Sequence, residues 1–150
     1  MNYADTMDEG VVIKWGGGLI TDKARTLTPK PKTIAALARA TKAYLAGRAE
    51  EATARRRKVV LVHGAGSFGH LRAKAWRLAE GRLPTRTAVF AKDPSREKAR
   101  NQDDAVRLVR EEMLQLNGLV CDALVREGLR PHVHPPHEWV RNTGAEFLGD

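Results

Sequence analysis

Residues Val59-Val60-Leu61-Val62 run without a break into His63-Gly64-Ala65-Gly66-Ser67-Phe68-Gly69-His70, and this junction constrains the fold more than any other stretch of the sequence. Four apolar residues, three of them valine, read as a buried parallel strand. The glycines that follow read as a tight turn into a helix. Such a turn lets backbone N–H groups approach a ligand, and the positive end of the next helix suits that ligand to be a phosphate. His70 then places a proton donor beside it.

An upstream stretch has the same design. Val11-Val12-Ile13-Lys14-Trp15 carries the chain into Gly16-Gly17-Gly18, followed by Leu19-Ile20-Thr21-Asp22-Lys23. Two strand-to-glycine turns about one βαβ repeat apart are expected to meet at the carboxyl ends of adjacent parallel strands, where open α/β sheets bind ligands. One turn with two lysines and another with a histidine would suit more than one phosphate. Phosphoryl transfer asks a protein chiefly for positioning and positive charge.

Charge fits this reading. Lysine and arginine total 26 against 18 acids, a net charge of +8, which favours anionic ligands. The run Arg55-Arg56-Arg57-Lys58 invites a nucleic-acid reading. However, it abuts the strand at Val59, and aromatic residues make up only 5% of the chain, so stacking platforms are scarce. A solvated helix end is the simpler account, and nucleic acid is disfavoured as a partner. No apolar run approaches the roughly 20 residues of a membrane span, and the acidic segment 1–10 does not read as a secretory signal. With Cys121 as the sole cysteine no internal disulfide is possible, so a cytoplasmic location is expected.

Along the chain, segment 1–10 reads as a tail and Thr28-Pro29-Lys30-Pro31-Lys32 as a linker or turn. A helix is expected from a cap at Thr33 to about Leu45, stopped by Gly47, with Ile34, Leu37, Thr41, Tyr44 and Leu45 on one side. A charged stretch over 48–57 leads to the strand at 58–63. A short helix from about His70 to Leu78 comes next. Residues 80–101 read as an excursion, either a surface loop or a lid. The spacing of Val106, Val109, Met113, Leu116, Val120 and Leu124 predicts a long helix over 102–127, ended by Gly128, with that stripe in the core. Leu129 to His134 is expected to add a third parallel strand, and His137 to Val140 to begin another helix. The fold class is therefore α/β, a mainly parallel sheet with helices on both faces.

These motifs resemble the N-terminal half of the isopentenyl phosphate kinases, within the amino acid kinase superfamily. That family opens with lysine-Gly-Gly-Ser and Val-Ile-Thr-x-Lys, matched here by Lys14-Trp15-Gly16-Gly17-Gly18-Leu19-Ile20-Thr21-Asp22-Lys23. Its second signature, His-Gly-(Gly/Ala)-Gly-Ser-Phe-Gly-His, is matched completely by His63 to His70. Leu116-Asn117-Gly118-Leu119-Val120 looks like the family's Leu-Asn-x-x-Val helix. The resemblance covers roughly residues 11–140, and Gly18 stands where the family usually carries serine.

The resemblance implies an amino acid kinase-like fold. Residues 11–150 would form its acceptor-substrate portion, and the C-terminal nucleotide-binding portion would be absent. It also implies ATP-dependent phosphorylation of isopentenyl phosphate, with Mg²⁺ accompanying the nucleotide. Lys14 would stabilise the phosphoryl group in flight, and Lys23 would hold the terminal phosphate of ATP. Gly16, Gly17 and Gly18 would approach the nucleotide phosphates. Gly64, Ala65, Gly66, Ser67 and Gly69 would line the acceptor side, and His70 would bind the acceptor phosphate. A homodimer, or a separate chain supplying the missing half, is the expected partner.

Other readings compete. A fosfomycin-kinase-like enzyme shares the second signature, and a non-catalytic phosphate-ligand or nucleic-acid-binding remnant needs only part of the site. Ser67 reads equally as a helix cap, and His63 as strand-end packing. His132, His134 and His137 lack the acids or cysteines that would complete a metal set.

Overall fold

The computed structural model describes residues 10–49, 59–84 and 99–139. The basic run at 55–58, most of the 80–101 excursion and most of the 1–10 segment lie outside the described residues. Strand β1, Val11–Trp15, and strand β2, Val59–His63, pair in parallel with Val11 opposite Val59 and Trp15 opposite His63. A one-turn helix α1, Gly17–Ile20, follows β1, and α2, Pro31–Ala49, crosses over to β2. Helix α3, His70–Ala75, leaves the second glycine turn and is followed by a 3-10 turn, Leu78–Glu80. The long α4, Gln102–Arg126, and the short α5, Pro136–Trp139, complete the described elements. The class is α/β with a parallel strand pair, as expected.

Helix α2 begins earlier than the sequence suggests. Pro31 is its first helical residue, a place where proline's missing N–H costs nothing and its fixed φ helps. The Lys30 carbonyl accepts the first helical bond, from Ile34 at 3.0 Å. Thr33 therefore lies inside the helix, and Gly47 does not stop it. Helix α4 keeps its expected bounds. Asn101 caps its start by accepting from the Asp104 N–H at 2.7 Å. At its end, Gly128 adopts φ +80°, the Gly128 N–H donates to Val125 and that of Leu129 to Leu124. This is a Schellman ending, and Leu129 packs back on the core beside Leu124.

Two further expectations are corrected. Residues 129–134 form no third strand. Leu129 is committed to the helix ending, and Pro131 has no N–H to give a ladder. The buried stripe of α4 is also displaced over its first half. It runs through Ala105, Leu108, Glu112, Leu116, Val120 and Leu124, leaving Val106, Val109 and Met113 half-buried.

The core lies between one face of the strand pair and helices α2 and α4. Ile13, Trp15 and Leu61 meet Ile34, Ala38, Phe68, Leu116 and Val120 there. The other face is open among the described residues. Val12 is 70% exposed, Val60 54% and Val62 46%, with Lys14 paired opposite Val62 on the same side. The apolar runs that suggested strands buried on both faces are thus covered on one.

Candidate active site

The parallel ladder carries the two glycine turns to one place. Just beyond the last strand pair, the Gly64 N–H donates to the Trp15 carbonyl at 3.0 Å, extending the ladder by one bond. The chains then touch backbone to backbone. A Cβ on Gly64 would stand 2.8 Å from the Gly17 nitrogen, and one on Gly17 would stand 2.8 Å from the Gly66 Cα. At Gly66 it would be 2.6 Å from the Gly17 carbonyl oxygen and would also collide with the Thr21 hydroxyl. Gly66 adopts φ +52° as well, so it is required twice over.

Side chains brace this crossing. The Thr21 hydroxyl donates to the Gly17 carbonyl at 2.7 Å and accepts from the Ser67 N–H at 3.0 Å. The Ser67 hydroxyl accepts from the Thr28 N–H at 3.0 Å and donates to the Thr28 carbonyl at 3.3 Å. Ser67 is 1% exposed, and its hydroxyl ties the loops together. It does not cap α3, whose N-cap is Gly69 without a side-chain bond. A Cβ on Gly69 would stand 3.2 Å from a Val109 methyl, which seats this turn on α4.

The chemically active candidates surround the crossing. Lys14 is exposed on the open sheet face, two residues before Gly16. Exposed Lys23 folds over the first turn, with its Cε 2.7 Å from where a Cβ on Gly18 would stand. His70 is exposed at the first residue of α3, and Ala65 is half-buried within the second turn. Among the described residues no hydrogen bond or ion pair occupies the side chains of Lys14, Lys23 or His70. Gly16 has open space where a side chain would be. The structure therefore joins Gly17, Gly64, Gly66 and Ser67 directly, leaves open space at Gly16 and covers Gly18 with the Lys23 arm.

His63 belongs to the framework. Its Nε2 receives the Asn117 amide at 3.1 Å, and Nδ1 faces the Gly64 carbonyl at 3.4 Å. That pairing suits a neutral ring with its proton on Nδ1. Burial holds its pKa below the ordinary 6.5, partly opposed by the Gly64 carbonyl. The Cys121 thiol donates to the Asn117 side-chain oxygen at 3.5 Å. Burial, and secondarily Asp122, raises the pKa of that thiol. Asn117, from the third motif, is thus what fixes the imidazole of the second.

Sequence reasoning missed a buried ion pair. Arg72 Nη2 and Nε donate to Glu112 Oε1 at 2.6 and 3.1 Å, and Arg72 is only 2% exposed. The pair fastens α3, which carries His70, to α4. Its signal was Glu112, which falls in the buried stripe once that stripe is read in steps of four back from Leu124. His132, His134 and His137 are exposed, and without a strand at 129–134 nothing aligns the first two. Among the described residues no three His, Cys, Asp or Glu side chains gather. No described helix is long and apolar enough to cross a membrane.

Comparison with known proteins agrees with this architecture. The sequence model of the amino acid kinase family matches residues 9–144. The isopentenyl phosphate kinase of Thermoplasma acidophilum is 26% identical over 121 residues, spanning 81% of this chain and 38% of that enzyme. The crystal structure of the T. acidophilum isopentenyl phosphate kinase product complex superposes with a TM-score of 0.59 at 24% identity, over 83% of this chain and 42% of that one. Another X-ray structure of isopentenyl phosphate kinase gives 0.61 at 26% identity, over 89% and 46%. The chain spans less than half the length of these relatives.

Proposed function

This chain belongs to the amino acid kinase family, and from that premise we propose that its two glycine turns form a phosphotransfer site, the first meeting the nucleotide's phosphates and the second the acceptor. The reaction moves the terminal phosphoryl group of ATP to isopentenyl phosphate, giving isopentenyl diphosphate. One observation carries the reading: Gly17 lies against Gly64 and Gly66, so both turns present their backbones and basic side chains around a single crossing. Similarity to isopentenyl phosphate kinases in sequence and fold supports the choice of acceptor.

In this reading Lys14 neutralises charge on the phosphoryl group as it moves, and Lys23 holds the terminal phosphate. Gly16, Gly17 and Gly18 admit the nucleotide's phosphates to the backbone of the first turn. Gly64, Ala65, Gly66 and Gly69 shape the path between donor and acceptor, with Ser67 beneath them as the brace. His70 binds the acceptor phosphate through its exposed imidazole at the first residue of α3, next to the second turn. Mg²⁺ arrives on the nucleotide's phosphates and keeps water as its other ligands.

The test is a ³¹P NMR titration of the chain with isopentenyl phosphate, followed by Mg-ATP. The expected result is saturable binding of isopentenyl phosphate that His70→Ala abolishes with the helical spectrum unchanged. Any turnover should fall by about 100-fold in the same variant. Absence of binding to both ligands would refute the reading, and binding of fosfomycin instead would reassign the acceptor.

A further inference from the structure

We infer that Lys30 is an additional phosphate-binding cation of the first glycine turn, gripping the polyphosphate chain of the nucleotide together with Lys23. The inference rests on the phosphotransfer reading above and adds a residue that neither glycine motif contains.

The backbone places Lys30 where it is needed. Residues 21–29 form a loop closed by an antiparallel bridge between Thr21 and Pro29 and by the Asp22 N–H donating to the Thr28 carbonyl at 2.9 Å. The Lys30 N–H then donates to the Ile20 carbonyl at 2.8 Å. These bonds return Lys30 to the end of α1, where its exposed ammonium reaches back to the Gly18 carbonyl at 3.0 Å. Lys23 comes from the opposite end of the same loop, with its Cε 2.7 Å and its Nζ 3.3 Å from where a Cβ on Gly18 would stand. Two ammonium groups therefore converge on one residue that has no side chain of its own.

Nothing described neutralises them. The closest acid in sequence, Asp22, is engaged with the Ala24 N–H at 3.0 Å and lies 3.7 Å from Arg25. Among the described residues no carboxylate pairs with Lys14, Lys23 or Lys30. A neutral carbonyl uses one of the three donors of an ammonium group. A phosphate oxygen is the stronger partner for the others, because charge-assisted bonds exceed neutral ones. The simpler alternative is that Lys30 only caps a carbonyl of α1, which would affect folding and leave anion binding alone.

Calorimetric titration of the full chain with tripolyphosphate at low salt decides between these. Lys32, exposed in the first turn of α2, supplies the control, because Lys32→Met removes the same unit of charge. Lys30→Met is expected to weaken tripolyphosphate binding by about tenfold, Lys32→Met by less than about twofold, and Lys30→Arg to retain most of it. Equal weakening by Lys30→Met and Lys32→Met would overturn the inference. If Lys14→Met and Lys23→Met weaken binding while Lys30→Met does not, the inference fails and the phosphotransfer reading stands. Indifference to all of these substitutions, or no binding by the unaltered chain, would sink both.

Discussion

The two glycine turns look alike in sequence and differ in what their glycines do. In the second turn Gly64, Gly66 and Gly69 all face backbone or a packed side chain within 3.2 Å of where a Cβ would stand. In the first turn Gly17 is so confined, while Gly16 meets nothing and the three atoms nearest a Cβ on Gly18 all belong to the movable arm of Lys23. The second turn is fixed by folding, and the first keeps two glycines that packing does not require. A signature can therefore owe its specificity to a chain crossing, and the less distinctive turn can hold the positions left open for a ligand.

The largest expected effect tests that contrast directly. Gly66→Ala forces a side chain into a left-handed position already filled by Gly17 and Thr21, so it should destabilise the fold by about 3 kcal/mol. Gly16→Ala should cost less than about 0.5 kcal/mol while weakening phosphate binding. Urea unfolding of both variants beside an anion titration would show the split, and equal destabilisation would erase the distinction between the turns.

The brace between the turns gives the next effect. Thr21→Val preserves shape and leaves the buried Ser67 N–H without an acceptor, an expected loss of about 2 kcal/mol. A midpoint in urea unchanged from the parent chain would mean that the crossing is held by packing alone.

The smallest effect is in pH. Burial lowers the His63 pKa below its unfolded value of 6.5, so below that value the unfolded chain binds a proton more readily than the folded one. The stability contributed by neutral His63 is present above about pH 6.5 and is lost as pH falls through that value toward the folded pKa. Unfolding midpoints compared at about pH 7.5 and about pH 5.5 should drop more for the parent than for His63→Gln. Parallel drops would show that the second turn tolerates a charged ring.

The strand pair and the meeting of the turns were legible in the sequence, because valine runs ending in glycine allow few arrangements. The span of α4 was legible from its periodicity and Gly128. Its face was not, since Glu112 reads as solvent-facing until Arg72 arrives from a position 40 residues earlier. The Thr21–Ser67 brace was hidden for a similar reason. A hydroxyl's partner across 46 residues depends on how the chain crosses itself, and residue type alone does not encode that. Pro31 misled because proline was read as a break when it sits where a helix accepts it best.

The open valine face of the strand pair has a consequence for the behaviour of this chain in solution. Val12, Val60 and Val62 offer an apolar stripe to any similar surface, and in dilute buffer mutual repulsion between chains of net charge +8 opposes such contacts. At about 1 M salt the range of that repulsion shrinks to about 3 Å, while the apolar attraction persists. Screening that charge is therefore expected to favour self-association through the stripe, which light scattering against salt concentration would show. The low-salt conditions chosen for the tripolyphosphate titration should also keep copies of the chain apart.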